Sequence, residues 1–257
     1  MPEETNKQIV YHIARNKDEL EQSFSLVYKE YASRGYIPKY YKSKLKLSIF
    51  NALPDTATFV AKQGNKVVAT VTLIPDSGLG IPMDKIFKKE VDGLRKKHRK
   101  VSEVSQLSID AKLFPKGWFS MFNFNKLMFV FKLFKLVFDY ASNVSKIDEL
   151  CIAVNPKHQY LYKFLYFEPM GKLKYYGSVN KAPALAFHLT LDKKLREKGK
   201  SRKALYNLFF AKKSDLTVFK NKYTLSKSGL KYFFEEKSDI FKKATKKQLS
   251  YIHNCYK

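Results

Sequence analysis

Between Ile147 and Leu191 the chain changes character repeatedly within a short distance. Asp148 to Val154 is an apolar run of strand length, and Asn155 with Pro156 makes a turn. A short helix follows and ends in Leu161 to Phe167, with Tyr162 close to its last turn. Two further strands come next, the second at Ala184 to Leu191. Strand, helix and paired strands in that order commit the chain to a sheet covered by helices.

The preceding residues extend the pattern. Gln8 to Ala14 alternates like a first strand. Lys17 to Tyr31 repeats apolar residues at helical spacing, with Asn16 placed to cap it and Gly35 to end it. Thr56 to Lys62 and Lys66 to Ile74 are Val- and Thr-rich strands joined at Gln63, Gly64 and Asn65, which predicts a hairpin. Asp76 to Pro82 reads as a loop, Met83 to Arg95 as a helix, Lys100 to Asp110 as a strand, and about 123 to 142 as a long helix. The expected fold class is α/β (α+β): a mixed twisted sheet flanked by helices over residues 8–192, then a basic helical C-terminal extension over 193–257.

Charge sharpens that boundary. The chain carries a net +26, of which 19 Lys and Arg against 5 Asp and Glu lie between Lys193 and Lys257. Such an excess favours an acidic partner: nucleic acid, an anionic membrane surface or an acidic protein. The two cysteines, Cys151 and Cys255, make no disulfide framework, which fits a reduced compartment. Met1 to Asn6 is polar and acidic, so no secretory signal is expected and the location predicted is cytoplasmic, at most peripheral to the inner face of a membrane. Trp118 to Tyr140 is very apolar, yet Lys126, Lys132, Lys135 and Asp139 interrupt it before it reaches the ~20 residues of a span. The spacing of Lys132, Lys135 and Asp139 gives a buried helix one wet stripe; a helix lying on a membrane surface is the alternative.

The strand from Lys100 to Asp110 holds the residue with the clearest chemical potential. Alternation places Val101, Glu103, Ser105, Leu107 and Ile109 on one face. A carboxylate among apolar neighbours has a raised pKa, which suits a base that takes a proton from an amine. The competing reading is a Glu103 at a sheet end, solvated or paired with lysine. The five histidines do not pair at ligand spacing, so no metal site is expected.

Several stretches resemble a known family in order and spacing. Asp76, Ser77, Gly80, Ile81, Pro82, Met83 and Asp84, then Leu94 and Arg95, then Glu103 to Ile109, are similar to the long-chain N-acyl amino acid synthases. These belong to the GCN5-related N-acetyltransferase (GNAT) superfamily and are related to the acyl-homoserine-lactone synthases. Tyr31, Arg34, Gly35, Tyr36 and Ile37 fit the same pattern near the start. Pro156, His158, Tyr162, Phe167, Lys174, Tyr175, Tyr176, Pro183, Ala184 and Leu185 fit it near the end. The resemblance covers about residues 10 to 192 and implies a GNAT-like fold. It implies transfer of a long-chain acyl group from acyl carrier protein to the amine of an amino acid, with Glu103 as base and Tyr162 as acid toward the leaving thiolate. Backbone N–H groups around Leu107, Ser108 and Ile109 would hold the thioester oxygen. Ser105, Arg34, Asp76 and His158 are the further substrate contacts expected.

Two positions depart from the family. Gln106 stands where an Arg is expected, and Tyr166 where the superfamily usually has Gly. The Gly-rich turn that grips the pyrophosphate of coenzyme A is missing after Asp110. Acyl-acyl carrier protein is therefore the expected donor in preference to acyl-coenzyme A, with no permanently bound cofactor. Trp118, Phe119, Phe122 and Phe124 are candidates to line an acyl channel, or else pack in the core. Lys88, Lys89, Arg95, Lys96, Lys97 and Arg99 form a basic cluster that could steer an acidic carrier protein, or be a solvated surface. The other functions compatible with these residues are a degenerate GNAT-fold lipid- or protein-binding module and a basic nucleic-acid-binding protein. The partners expected from the first reading are an acidic carrier protein, an amino acid and peripheral membrane contact.

Overall fold

The computed structural model describes residues 8–38, 43–113, 124–177, 180–211 and 215–257. The expected element order is present: β1 (Ile9–Ile13), α1 (Lys17–Ser33), β2 (Ala57–Gln63), β3 (Lys66–Pro75), α2 (Asp84–Arg95), β4 (Val101–Ile109), α3 (Phe124–Asp139), β5 (Glu149–Val154), α4 (Gln159–Phe164), β6 (Glu168–Tyr176) and β7 (Ala182–Thr190). Asn16 caps α1 by accepting from the Glu19 N–H, and Gly35 follows at φ +71°, where a side chain would strain. The strands form one seven-stranded mixed sheet in the order β1-β2-β3-β4-β5-β7-β6. Among the described strands, only β4 and β5 run parallel.

One face of the sheet packs under α3 and α4. Phe134, Val137, Leu150, Phe167 and Phe187 are buried there, among a dense set of edge-on aromatic pairs. The other face packs against α1 and α2. Asp139 pairs with Lys135 along the stripe predicted to be wet, and Lys132 is exposed. Among the described residues no helix is long and apolar enough to cross a membrane.

The C-terminal residues form short helices: α5 (Lys193–Lys200), α6 (Lys203–Tyr206), α7 (Lys227–Lys231), α8 (Ile240–Lys243) and α9 (Lys246–Asn254). They do not hang from the sheet. Phe209 and Phe219 enter the α3 face, while Phe233, Phe234 and Ile252 are fully buried against α1 on the other. Position 193 therefore divides the chain by charge and not by core.

Simple alternation fails in β4. Thr70 faces Ser108 and Thr72 faces Ser105, so Gln106 and Leu107 together oppose Val71. This is a β-bulge, and Gln106 carries it with φ +55°. The extra residue reverses the faces beyond it. Val101 packs with α2, whereas Leu107 and Ile109 join Val104 on the α3 side. The expected single face of five residues is thus split after Ser105.

Candidate active site

The pairing of β4 with β5 stops early. Val101, Ser102 and Glu103 pair with Glu149, Leu150 and Cys151, and the two strands then separate. The separation opens a cleft of about 760 Å³, within the range of small-molecule sites. Its walls include Ser105 to Ile109 from β4, Ile152 to Asn155 from the end of β5, Leu127 and Val130 from α3, and Tyr31, Arg34 and Tyr36 from α1 and its exit. Lys157, His158, Tyr160, Leu161, Tyr162 and Phe164 line it from the α4 side. Of the residues expected to touch substrate, Ser105, Leu107, Ser108, Ile109, Arg34 and His158 all face this cleft. Trp118, Phe119 and Phe122 lie outside the described residues.

Glu103 sits immediately below, at the last paired position of β4 and 4% exposed. The Met83 backbone N–H donates to its Oε2 at 2.6 Å, and it also hydrogen-bonds the side chain of Ser105, which lines the cleft. Burial pushes its pKa up to about 8, and the nearby charge of Asp84 adds to the rise against the Met83 and Ser105 hydrogen bonds and Lys85. The carboxyl is buried and, among the described residues, forms no ion pair with lysine. The Glu103 charge reaches Tyr31, whose phenol is pushed up to about 12, mainly by burial. Tyr31 in turn acts on Tyr162, raised by burial first. Tyr162 is held edge-on by Phe134 and Phe167, both centroids 6.0 Å away. Tyr31 and Tyr162 both line the cleft, and Glu103 lies next to it through its hydrogen bond to Ser105. Tyr31 belongs to the apolar periodicity of α1 and to the family pattern, and neither assigns it a chemical role. Tyr176, raised mainly by burial and also by the charge of Glu103, fits the family pattern without a role assigned by it.

Asp76 and Arg95 do not join this group. Arg95 spans Asp76 through Nε and Nη2 at 2.7 and 2.8 Å, Asp84 at 2.9 and 2.7 Å, and Asp92 at 2.7 Å. Asp76 is consumed by that contact and lies away from the cleft lining. Gly80 is fixed by the same arrangement, because its φ is +72° and a Cβ there would stand 2.2 Å from Asp84 Oδ2. The clamp seats the loop whose Met83 N–H holds Glu103. Arg95→Ala leaves three carboxylates facing each other without their shared cation. Arg95 is about one-quarter exposed, which moderates the effect to about 2–3 kcal/mol. Thermal denaturation should show the loss.

The remaining basic residues are also placed differently from expectation. Lys88 pairs with Asp92, and Arg99 lies 4.0 Å from Glu149. Lys89, Lys96 and Lys97 are exposed. The run from Arg95 to Arg99 precedes the start of β4, whereas the cleft opens beyond Glu103. Val101 to Leu107 spans roughly 20 Å of strand, so Lys96, Lys97 and Arg99 stand at the far end of the sheet from the mouth.

Both departures have a structural counterpart. Gln106 exchanges amide hydrogen bonds with Asn51, at 3.0 and 3.4 Å, and donates to the Lys46 carbonyl at 3.2 Å. A neutral network thus occupies the place expected for a cation. Tyr166 adopts φ +68°, the conformation for which Gly is suited, at a strain of about 1–3 kcal/mol. The Arg202 guanidinium covers its ring at 4.9 Å. Among the described residues no group of His, Cys, Asp and Glu could hold a metal ion.

A parallel strand pair that splays, a bulge in β4 and the cleft between the strands define the fold of the GNAT-like acyltransferases. The model of the family described as N-acyl amino acid synthase FeeM matches residues 22–190, so the chain belongs to the FeeM family of N-acyl amino acid synthases. The solved FeeM from uncultured soil microbes is 30% identical, with a TM-score of 0.61 over 74% of this chain and 94% of its own. The acyl-homoserine-lactone synthase LasI shares the fold at 13% identity, with a TM-score of 0.57 over 81% of this chain and 100% of its own. BjaI, a CoA-dependent acyl-homoserine lactone synthase, does so at 15% identity, with a TM-score of 0.54 over 76% and 90%. No curated protein sequence matches the chain.

Proposed function

We propose that this protein transfers a long-chain acyl group from acyl carrier protein to the amine of an amino acid. One observation carries the reading: the buried Glu103 carboxyl, poised near pH 8, lies under a cleft whose α4 wall presents Tyr162. Glu103 accepts the amine proton, directly or through the Ser105 hydroxyl and water. The freed amine attacks the thioester carbonyl, and its oxygen gathers charge against backbone N–H groups of the unpaired stretch around Leu107 to Ile109. The intermediate then collapses with loss of the thiolate, which Tyr162 protonates. The high pKa of a buried phenol keeps that proton in place until a thiolate forms.

Apolar walls from Leu107, Ile109, Leu127, Val130 and Ile152 suit the start of a fatty chain. The missing pyrophosphate turn in the sequence favours a carrier protein over coenzyme A. The CoA-dependent relative BjaI makes acyl-CoA the competing donor. Purified protein supplied separately with each thioester and a panel of amino acids decides between them by mass spectrometry of the products. Transfer from acyl-CoA alone would remove the carrier protein from the reading.

Tyr162→Phe keeps the ring between Phe134 and Phe167 and removes the acid. The expected result is a fall in kcat of about 10²-fold with KM nearly unchanged. A donor with a more acidic leaving thiol should recover part of the loss, since it departs with less need of a proton.

A further inference from the structure

The mouth of the cleft carries an unusual surface. Tyr160 and Phe164 stand on α4 one turn apart, 67% and 42% exposed, and both also line the cleft. Phe164 stacks on Phe131 at 5.7 Å, and Arg202 packs over it at 5.1 Å while donating to its carbonyl at 2.9 Å. Lys163 lies 5.9 Å from the Tyr160 ring. Lys157, Lys163, Arg202 and Lys203 are exposed. None of these four makes an ion pair among the described residues. The nearby acids are already neutralised, Glu168 by Lys198 at 2.9 Å and Glu197 by Lys200 at 2.7 Å. Aromatic side chains are thus set beside the uncompensated Lys157, Lys163 and Arg202 at an apolar cleft, and Lys203 follows Arg202 directly in the chain.

We propose that this face, formed by α4 and the α5–α6 turn, docks on an anionic lipid bilayer. The cations sit at the level of the acidic headgroups, each with a favourable contribution. Tyr160 and Phe164 enter the interface, where amphipathic and aromatic rings are favoured. An acidic protein would satisfy the same charges and rings, so the test includes it as an outcome that overturns the proposal. The proposal rests on the acyltransfer reading in one respect: a long-chain product leaving the cleft would enter the acyl layer without crossing water.

Co-sedimentation of the full-length protein with vesicles, in the absence of any substrate, tests it. Phosphatidylcholine vesicles are compared with vesicles that also contain phosphatidylglycerol. The expected result is binding that requires the anionic lipid and weakens at about 1 M salt, where the Debye length falls to ~3 Å. Because the whole chain is strongly basic, location is tested by paired reversals. Lys163→Glu with Lys203→Glu should weaken binding by at least about tenfold. Lys96→Glu with Lys97→Glu, at the far end of the sheet, should leave it within about twofold. Tyr160→Ser should weaken binding even at low salt. Glu103→Gln should bind vesicles like the parent, which separates this surface from the chemistry. Equal loss in both reversal pairs, or no preference for anionic lipid, would overturn the proposal. So would a Lys163 and Lys203 reversal that still binds vesicles but no longer accepts acyl groups from carrier protein, since that outcome assigns the face to an acidic protein.

Discussion

Glu103→Gln is expected to fold normally and to lose acyl transfer by roughly 10²–10⁴-fold. Glutamine keeps the shape, and its carbonyl oxygen still accepts from the Met83 N–H, but it cannot take a proton. The wild-type pH profile should report the same group. With a pKa of about 8, kcat/KM should rise nearly tenfold per pH unit below 8 and level off above it. Stability should run the other way. The folded pKa lies above the unfolded value, so the folded state holds a proton that the unfolded state has released. Stability is therefore highest below about pH 4.5 as far as this group is concerned, and falls as pH rises toward 8. Glu103→Gln removes that dependence, so the variant should be at least as stable as the parent at pH 8. An inactive variant with undiminished stability ties the loss to chemistry.

Phe134→Ala is expected to produce the largest loss of stability, about 3–5 kcal/mol. Phe134 is fully buried and meets Phe138, Tyr162 and Phe167 edge-on at 6.0 to 6.1 Å. Its removal leaves a cavity beside the proposed acid, which also lets the Tyr162 ring turn. Denaturant unfolding should show a lower midpoint with an unchanged slope. Activity per folded molecule should fall as well, in kcat more than in KM. Phe134→Leu retains most of the volume and should recover most of both properties. A variant with lowered stability and full kcat would mean that Tyr162 needs no support from α3.

The succession of elements was legible because each one shows its own period. Leu20, Phe24, Val27 and Tyr31 mark α1, while the Val- and Thr-rich runs on either side of Gly64 mark β2 and β3. Tyr162 was singled out by the family resemblance, and its place on α4 puts it in the cleft lining. The bulge was not legible. Gln106 adopts a left-handed conformation without a Gly or Asn to announce it, so alternation carried past Ser105 put Leu107 and Ile109 on the wrong face. The basic run misled for another reason. Arg95 reads as one cation among many, yet its partners Asp76 and Asp84 lie 19 and 11 residues earlier in the chain. Charge density likewise hid the packing of the C-terminal residues, where Phe233, Phe234 and Ile252 complete the core beside α1.

Mass spectrometry of lipid extracts from a bacterial host expressing the chain measures the central assignment directly. The wild-type protein is expected to add long-chain N-acyl amino acids that are missing from the host, and Glu103→Gln, expressed to the same level, is expected to add none. Soluble, folded wild-type protein with an unchanged lipid extract would contradict the acyltransfer assignment, and equal products from both proteins would contradict the role of Glu103 as base.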